Sequence, residues 1–351
     1  MGETMTAFIK RSAIPGDAAV GRTAMPTPGP REALVRVAAC GICGSDLHTV
    51  RSDPGYEWIR TPMVIGHECA GTVVAVGDGT SLVAAGARVV PISIQGCLRC
   101  TTCRTGATQL CPDRRILGLH YGGGLGEYTV IPEEQLVPVP EGVDLRRAAL
   151  TEPLTVAVHA VLGRSDVRPT SRVVVSGPGP IGQLCAQVAR ASGGEVLVVG
   201  ARRDVERRLE IAARLGFRTG DIETESSTQV IRRHFGRRAP DVWIEASGAI
   251  PALGAAVDAM APGGSITVVA MFTQPYQLMI PDILRREITM ATTYAASASD
   301  YNTALQLIAD DVVDVEPLID EFTLSEAGEA FEAAASARAM KPLVVPDAGL
   351  S

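Results

Sequence analysis

Lysine is almost absent from this chain of 351 residues: Lys10 and Lys341 are its only lysines, and arginine supplies the rest of its 32 basic side chains. No stretch is dense in basic residues and the formal net charge is −7, a balance that disfavours a polyanionic partner such as nucleic acid. Long hydrophobic runs are also lacking, since no apolar stretch reaches the roughly 18 residues that a membrane-spanning helix needs. We therefore expect neither a nucleic-acid partner nor a membrane partner.

The N-terminal segment lacks the pattern of a secretion signal. Its first ten residues, MGETMTAFIK, contain no basic region followed by an apolar core and a small-residue cleavage site. We therefore expect a cytoplasmic protein, in which thiols stay reduced. The eight cysteines of the chain then point to metal binding more readily than to disulfides.

The pattern of predicted strands and helices changes near residue 150. Before it, short segments rich in β-branched residues, such as EALVRVAAC and GTVVAVGDG, are separated by glycine and proline. After a helical stretch, AALTEPLTVAVHAVLGR, buried-type strands such as SRVVVSG and EVLVVG alternate with helical patterns. This alternation predicts βαβ units and a parallel sheet. The fold class is therefore α/β, and the length favours two domains.

A glycine motif follows the first strand of the second half. Gly177, Gly179 and Gly182 form G-x-G-x-x-G between a buried-type strand and a helix, the context in which this motif binds a dinucleotide. The glycines permit a tight turn, close approach of a pyrophosphate, and close packing of helix on strand. The helix begins at Pro180, which has no N–H, and from Ile181 onward its unpaired N–H groups and the positive end of the helix dipole face the phosphates. The alternative is a glycine-rich turn without a ligand.

The end of the next strand indicates which dinucleotide is bound. NAD sites usually carry an acidic residue about 20 residues after the glycine motif. Here Ala201, Arg202 and Arg203 occupy that place, and guanidinium groups pair well with phosphate. We therefore expect NADP rather than NAD, with Arg202 the first choice for the 2′-phosphate. Asp204 lies near enough to keep NAD open.

Half of the cysteines lie in one short loop. Cys97, Cys100, Cys103 and Cys111 form C-x2-C-x2-C-x7-C, in which two-residue gaps let a loop wrap a tetrahedral ion. Four thiolates leave no open position, so the pattern predicts a structural zinc site. An iron–sulfur cluster also uses four thiolates, although the spacing resembles the ferredoxin run only loosely. A redox pair at Cys97 and Cys100 would leave the other two cysteines unexplained.

A second group of metal-ligand residue types is more dispersed. It comprises CGICGSDLH at 40–48, GHECAG at 66–71, and Glu152 in TEPL at the start of a helix. Cysteine, histidine and glutamate are all zinc ligands, and the glycines free the backbone around them. Together these segments suggest an open zinc site with three protein ligands and one exchangeable position.

These motifs, in this order and spacing, resemble the zinc-dependent medium-chain dehydrogenases, specifically the polyol, sorbitol and threonine dehydrogenase branch of the alcohol dehydrogenase superfamily. The resemblance rests on GICGSDLH, GHECAGTVVAVG, the four-cysteine loop, EPL and GPGPIG, and it covers nearly the whole chain. It implies a GroES-like, β-rich catalytic domain over 1–152 and 294–351, and a Rossmann doubly wound parallel-sheet domain over 153–293. It also implies two zinc ions per chain and a homodimer or homotetramer.

The resemblance assigns ligands to the catalytic zinc. Cys43 and His67 match the family's ligands. Glu68 is a ligand in polyol members and exchanges with water in others. Glu152 stands where alcohol dehydrogenases use a third cysteine, so it either ligates zinc or acts through a bound water.

The same resemblance implies a mechanism. Ser45 matches the hydroxyl that touches the substrate oxygen, His48 matches the next proton acceptor, and Asp46 would orient His67. The function implied is hydride transfer between a secondary alcohol (a polyol, sugar or cyclitol) and NADP or NAD. We expect Tyr56 and Trp58 among the walls of the substrate pocket.

Two alternatives stay open. One is a cofactor-binding regulator that keeps the fold without catalysis. The other is a zinc-ribbon nucleic-acid binder built on the four-cysteine loop. The acidic charge and the complete dinucleotide-binding unit argue against the second alternative.

Overall fold

The computed structural model describes residues 2–272 and 274–347. The chain divides into two compact units. The first comprises Met1–Glu152, Ser297–Ala309 and Leu318–Ser351, and the second comprises Pro153–Ala296 and Asp310–Pro317. No helix in the described parts of the chain combines the length and the apolar composition that crossing a membrane requires.

The strands and helices are numbered separately in chain order. The strands are β1 (Thr4–Lys10), β2 (Ala18–Ala24), β3 (Glu32–Gly41), β4 (Met63–Val64), β5 (Glu68–Val76), β6 (Arg88–Pro91), β7 (Ile94–Gln95), β8 (Arg115–Ile116), β9 (Tyr128–Pro132), β10 (Leu136–Pro138), β11 (Arg172–Ser176), β12 (Glu195–Gly200), β13 (Arg218–Asp221), β14 (Val242–Glu245), β15 (Ser265–Val268), β16 (Thr289–Thr292), β17 (Ile319–Thr323) and β18 (Lys341–Val345). The α-helices are α1 (Gly44–Arg51), α2 (Thr101–Arg104), α3 (Leu145–Ala148), α4 (Thr151–Val158), α5 (Pro180–Ala191), α6 (Glu210–Arg214), α7 (Ser227–Phe235), α8 (Ile250–Ala259), α9 (Ile280–Arg285), α10 (Ala298–Ala309) and α11 (Ala327–Ala335).

The first unit is built on β-sheets. Its largest sheet has the order β10–β6–β5–β3–β18–β17, with β9 also paired to β3, and a smaller sheet has the order β2–β1–β4. Phe8, Val35, Ile65 and Leu117 lie in the hydrophobic core beneath these sheets. The antiparallel register of β3 on β5 sets Gly41 opposite Glu68. This pairing brings the segment at 40–48 next to the segment at 66–71.

The second unit contains a parallel sheet in the order β13–β12–β11–β14–β15–β16. This is the strand order of a doubly wound dinucleotide-binding sheet: all strands are parallel, and successive strands add to one side up to β13 and to the other side from β14 onward. The interiors of the central strands, Val173–Val175 of β11 and Val196–Val199 of β12, are apolar because helices cover both faces of such a sheet. The predicted α/β fold class with a parallel sheet is confirmed.

The structure differs in two places from what the sequence predicts: one predicted helix is interrupted, and one short segment belongs to the other unit. The stretch predicted as one helix near residue 150 begins at Ala148, the last residue of α3, and then contains α4 and a π-helical turn at His159–Gly163. Residues 310–317, which the resemblance assigns to the first domain, lie in the second unit. Gln187 of α5 donates from Nε2 to the Asp314 carbonyl at 2.9 Å and accepts from the Asp314 N–H at 2.7 Å. The predicted domain limits themselves stay a prediction.

Candidate metal centres and cofactor site

Helix α1 begins at the first metal-ligand motif. Cys43 is its N-cap residue, and the Cys43 N–H donates to Asp46 Oδ2 at 2.9 Å. The negative Asp46 carboxylate in the first turn also suits the positive end of the helix dipole. This cap fixes the first turn, so Ser45 and His48 follow Cys43 at defined positions along the helix.

Two glycines are required where the second motif meets the first. A Cβ on Gly41 would collide with the Glu68 carboxylate, so the cross-strand partner of Glu68 has no side chain. Gly66 has φ +95°, and a Cβ there would lie 2.6 Å from the Leu125 side chain. Because glycine at these two positions places no Cβ in the way, His67 and Glu68 can approach Cys43. The ligand atoms of Cys43, His67 and Glu68 all lie within 4.8 Å of one another.

The ring of His67 has a definite orientation. Its Nδ1 lies 3.6 Å from Asp46 Oδ1, and its Nε2 lies 3.5 Å from Ser45 Oγ. Both His67 and Asp46 are buried. Burial alone would lower the pKa of His67, but the Asp46 carboxylate and the Cys43 sulfur raise it well above its ordinary value. The same negative field favours a metal cation beside Nε2.

Glu68 has a partner that the sequence analysis missed. Lys341 Nζ lies 2.7 Å from Glu68 Oε1 and 2.6 Å from Oε2, and it also donates to the Ile42 carbonyl at 3.1 Å. Burial lowers the pKa of Lys341, yet the Glu68 carboxylate raises it above its ordinary value. The signal was the rarity of lysine together with the strand-like KPLVVP that begins with Lys341.

Glu152 faces the same group of residues from α4. Its Oε1 accepts a hydrogen bond from Ser93 Oγ at 2.8 Å, and Tyr301 OH donates to Ser93 Oγ at 3.1 Å. Burial raises the pKa of Glu152, while the charges of His67 and Glu68 also act on it. Within the described residues, Glu152 is not one of the residues whose ligand atoms lie within 4.8 Å of one another. Its negative charge nevertheless helps to raise the pKa values of His67 and Lys341.

The donor set fits a catalytic zinc ion. Cys43, His67 and Glu68 offer sulfur, nitrogen and oxygen, the three donor types that zinc takes in proteins. Glu152 adds a fourth potentially anionic group, whereas Lys341 is a cation paired with Glu68. A divalent cation would offset the remaining negative charge, so the residues fit the ion that the resemblance implies.

The four-cysteine loop also fits its predicted ion. The sulfurs of Cys97, Cys100, Cys103 and Cys111 lie within 4.8 Å of one another, and the Sγ atoms of Cys100 and Cys111 are 3.9 Å apart. Zinc–sulfur bonds of about 2.3 Å place the sulfurs of a tetrahedron roughly 3.8 Å apart. The backbone N–H groups of Arg99 and Cys100 lower the pKa of Cys97 to about 6. Four free thiols at this spacing match a closed zinc site.

Other side chains predicted near the substrate also lie in the first unit. His48 Nδ1 is 2.7 Å from Asp53 Oδ2, and the ring of Tyr56 stacks on His48 with centroids 5.5 Å apart. Trp58 contacts the ring of His120, with centroids 4.4 Å apart. The loop after α1 therefore places Asp53 and Tyr56 against the predicted proton acceptor, His48, whereas Trp58 packs on His120.

The glycine motif has the geometry that its spacing predicts. Gly177 has φ +93°, and a Cβ there would lie 2.6 Å from the Ser247 backbone. A Cβ on Gly182 would collide with the Gly177 carbonyl, so close packing of α5 requires glycine. A Cβ on Gly179 would meet open space, and Gly179 is the N-cap of α5 without a side-chain cap. The first N–H groups of α5 thus face a region that a pyrophosphate can approach.

The end of β12 favours a phosphorylated ribose. Asp204 is buried, where its Oδ2 accepts from the Ala201 N–H at 3.0 Å and its Oδ1 lies 3.3 Å from Arg208 Nη1. This carboxylate is therefore engaged inside the turn. Arg202 and Arg203 are exposed, although the Arg202 N–H donates to Glu223 Oε2 at 3.0 Å.

Two families match this chain in successive parts. Residues 29–141 match the alcohol dehydrogenase GroES-like domain, and residues 180–310 match the zinc-binding dehydrogenase family. The chain is 32% identical over 348 residues to a sorbitol dehydrogenase of Halalkalibacterium halodurans, covering 97% of this chain and 99% of that one. It is 33% identical over 347 residues to an L-threonine 3-dehydrogenase of Saccharopolyspora erythraea, covering 97% and 98%.

A solved structure agrees with these relatives. A zinc-binding dehydrogenase of Sinorhizobium meliloti 1021 bound to NADP superposes with a TM-score of 0.89 at 29% identity, covering 98% of this chain and 100% of that one. The resemblance drawn from the motifs, the GroES-like and Rossmann fold class, and the zinc and nicotinamide cofactors are thereby confirmed. The relatives are dehydrogenases, which supports catalysis over a non-catalytic regulator. The chain therefore belongs to the zinc-dependent medium-chain dehydrogenases and is an oxidoreductase that transfers hydride between an alcohol and a nicotinamide cofactor.

Proposed function

We propose that the chain oxidises or reduces a polyol-type or sugar-type secondary alcohol with NADP, using Cys43 and His67 as ligands of a catalytic zinc. The observation that carries this proposal is the convergence of the Cys43, His67 and Glu68 ligand atoms within 4.8 Å beside the Ser45 hydroxyl. Either Glu68 or Glu152 completes the protein ligands. Cys97, Cys100, Cys103 and Cys111 hold the structural zinc.

Ser45, His48 and Asp46 each have a separate role beside the proposed zinc site. When bound, zinc supplies a Lewis acid for the substrate oxygen and the nicotinamide supplies the hydride acceptor. Ser45 Oγ lies 3.5 Å from the His67 nitrogen that faces the metal position, so it is placed to take the hydroxyl proton. His48, three residues further along α1, is the next acceptor on the way to solvent. Asp46 keeps the His67 ring turned toward the metal.

Cofactor and substrate class rest on separate observations. Asp204 is engaged inside its turn, whereas Arg202 and Arg203 are exposed at the end of β12, which supports NADP. The polar and aromatic side chains after α1 suit a hydroxylated substrate better than a long alkyl alcohol. The similarity to a sorbitol dehydrogenase supports the same substrate class.

We also propose a homodimer or homotetramer in the cytoplasm. Strand β16 ends the order of the parallel sheet, and Met279, Ile280 and Leu284 shortly before it are 63%, 59% and 70% exposed. An edge strand and exposed apolar side chains are each suited to cover by a second copy. All eight cysteines are free, which supports a reducing compartment.

The test is a panel of polyols, sugars and hydroxy acids assayed with NADP and with NAD, following absorbance of the reduced nicotinamide. The proposal expects the highest kcat/KM for a polyol or sugar with NADP. Higher kcat/KM for simple alkyl alcohols, or for NAD across the panel, would contradict it.

A further inference from the structure

We infer that Asp53 is a positioning residue for His48: its carboxylate holds the imidazole in the tautomer that carries hydrogen on Nδ1 and leaves Nε2 free to accept a proton. This inference rests on the proposed function, in which His48 takes the proton that Ser45 passes on. It adds a residue that neither the motifs nor the metal-ligand pattern pointed to.

The end of α1 explains why Asp53 reaches His48. Ser52, the C-cap residue, has φ +52°, and this left-handed conformation folds the chain back over the last turn of the helix. The Asp53 N–H then donates to the His48 carbonyl at 3.0 Å. With its backbone bonded to residue 48, Asp53 places Oδ2 at 2.7 Å from Nδ1 of the same residue.

The tautomer follows from the chemistry of the pair. A carboxylate accepts hydrogen bonds and donates none, so the hydrogen in the 2.7 Å contact belongs to His48 Nδ1. In a neutral imidazole, the other nitrogen is then an acceptor. A proton acceptor in a relay needs this free lone pair, and the same arrangement of carboxylate, imidazole and hydroxyl serves general-base catalysis elsewhere.

A third side chain restrains the ring. Tyr56 stacks on His48 with an interplanar angle of 23°, so the imidazole is held at its edge by Asp53 and on its face by Tyr56. The Tyr56 N–H donates to the Asp53 carbonyl at 3.1 Å, so the two residues that hold the imidazole, Asp53 and Tyr56, belong to one local turn. His48 and Asp53 side chains are 37% and 33% exposed, so the pair retains access to solvent for proton release.

The decisive variant is Asp53→Asn. It keeps size and shape, but its amide can donate to Nδ1 and thereby favour the tautomer with hydrogen on Nε2. We expect kcat for alcohol oxidation to fall about tenfold to a hundredfold with KM nearly unchanged, within the range that general-base catalysis supplies. Asp53→Glu should recover part of the loss. Asp17→Asn is the matched control, since the Asp17 side chain is 34% exposed, and it should leave kcat unchanged.

A double-mutant cycle separates positioning from a general structural effect. If Asp53 acts only through His48, then Asp53→Asn has no further effect on kcat once His48→Gln is present. An equal fold-loss in both backgrounds would overturn the inference.

A readout independent of turnover completes the test. Nitrogen-15 NMR of the histidine side chains distinguishes the two neutral tautomers, and the chain has five histidines, of which His48→Gln identifies the relevant signals. We expect hydrogen on Nδ1 of His48 in the wild type and its loss from Nδ1 in Asp53→Asn. An unchanged tautomer would overturn the inference. If His48→Gln has wild-type kcat, the relay in the proposed function fails, whereas the NMR result still decides the role of Asp53.

Discussion

Lys341 Nζ lies within 2.7 Å of both carboxylate oxygens of Glu68, in an ion pair whose side chains are 5% and 1% exposed. One of only two lysines in the chain is therefore placed directly behind a predicted metal-ligand residue. The pair joins β18 to β5 across β3, two strands that come from opposite ends of the sequence. It offsets the negative charge of Glu68 beside the predicted zinc ligands Cys43 and His67, and it fixes the Glu68 side chain.

Replacing Lys341 by methionine should destabilise the first unit strongly. Removing one partner of a buried ion pair leaves an uncompensated charge and costs about 3–5 kcal/mol of unfolding free energy. Glu68→Gln in the same chain should recover much of that loss, because the uncompensated carboxylate is then gone. Urea unfolding of both single variants and the double variant measures this coupling. A loss that Glu68→Gln fails to reduce would show that the two side chains do not act as a pair.

Glu133 makes part of the stability of the first unit depend on pH. The N–H groups of Leu82 and Ser81, both at 2.6 Å, together with Arg31, lower the pKa of Glu133 below its ordinary value of 4.5. A lowered folded-state pKa stabilises the fold fully above pH 4.5, and this contribution is lost as the pH falls through the folded-state value. Glu133→Gln should therefore lower Tm near neutral pH, and its difference from the wild type should shrink in acid.

Thermal unfolding between about pH 7 and about pH 3 tests the role of Glu133. Glu134→Gln is the matched control, because Glu134 is adjacent and exposed. The explanation fails if the Tm difference caused by Glu133→Gln is the same at all pH values.

Cys100→Ser should remove the structural zinc without removing the chemistry. The zinc content is expected to fall by about one ion per chain, and Tm should fall because the loop loses one of its four zinc ligands. A serine can still cap α2 in place of Cys100, so the fall in Tm reports the loss of zinc. The fraction that remains folded should keep its turnover. Elemental analysis with thermal unfolding and active-site titration measures these quantities. A normal Tm with abolished turnover would contradict the assignment.

The cofactor preference should depend on the two arginines after β12. Arg202→Ala with Arg203→Ala is expected to lower kcat/KM for NADP about tenfold to a hundredfold, the range for hydrogen bonds to a charged group. For NAD the change should be less than about twofold, since that ribose carries no 2′-phosphate. Arg214→Ala, at an exposed arginine paired with Glu210, serves as the control. Equal losses for both cofactors would count against phosphate recognition.

Local sequence patterns were sufficient where the structure is itself local. The strand at β12 and the turn at Gly177 were predictable because an apolar run and a glycine spacing determine them within a few residues. The same holds for the four cysteines, since all of their sulfurs come from a single loop. The GroES-like part and the residue roles around zinc came from resemblance to a family.

Contacts between distant segments were not predictable from the pattern. Lys341 and Glu68 are 273 residues apart, and only the register of β18, β3 and β5 brings them together. Asp53 is close to His48 in sequence, yet its role depends on the left-handed Ser52 that ends α1, and a serine gives little signal for that conformation. The placement of Glu152 near His67 and Glu68 likewise depends on tertiary packing.

Turnover is expected to depend on a zinc ion that Cys43 holds. Cys43→Ala is the most direct measurement, with alcohol-dependent NADP reduction, zinc content and NADP binding determined on the same sample. Cys40→Ala is the control, because Cys40 is a buried thiol three residues earlier that packs in the core. Cys43→Ala should lose about one zinc ion per chain and about a thousandfold or more in kcat/KM, with NADP binding retained. Full alcohol-dependent NADP reduction by Cys43→Ala would contradict it.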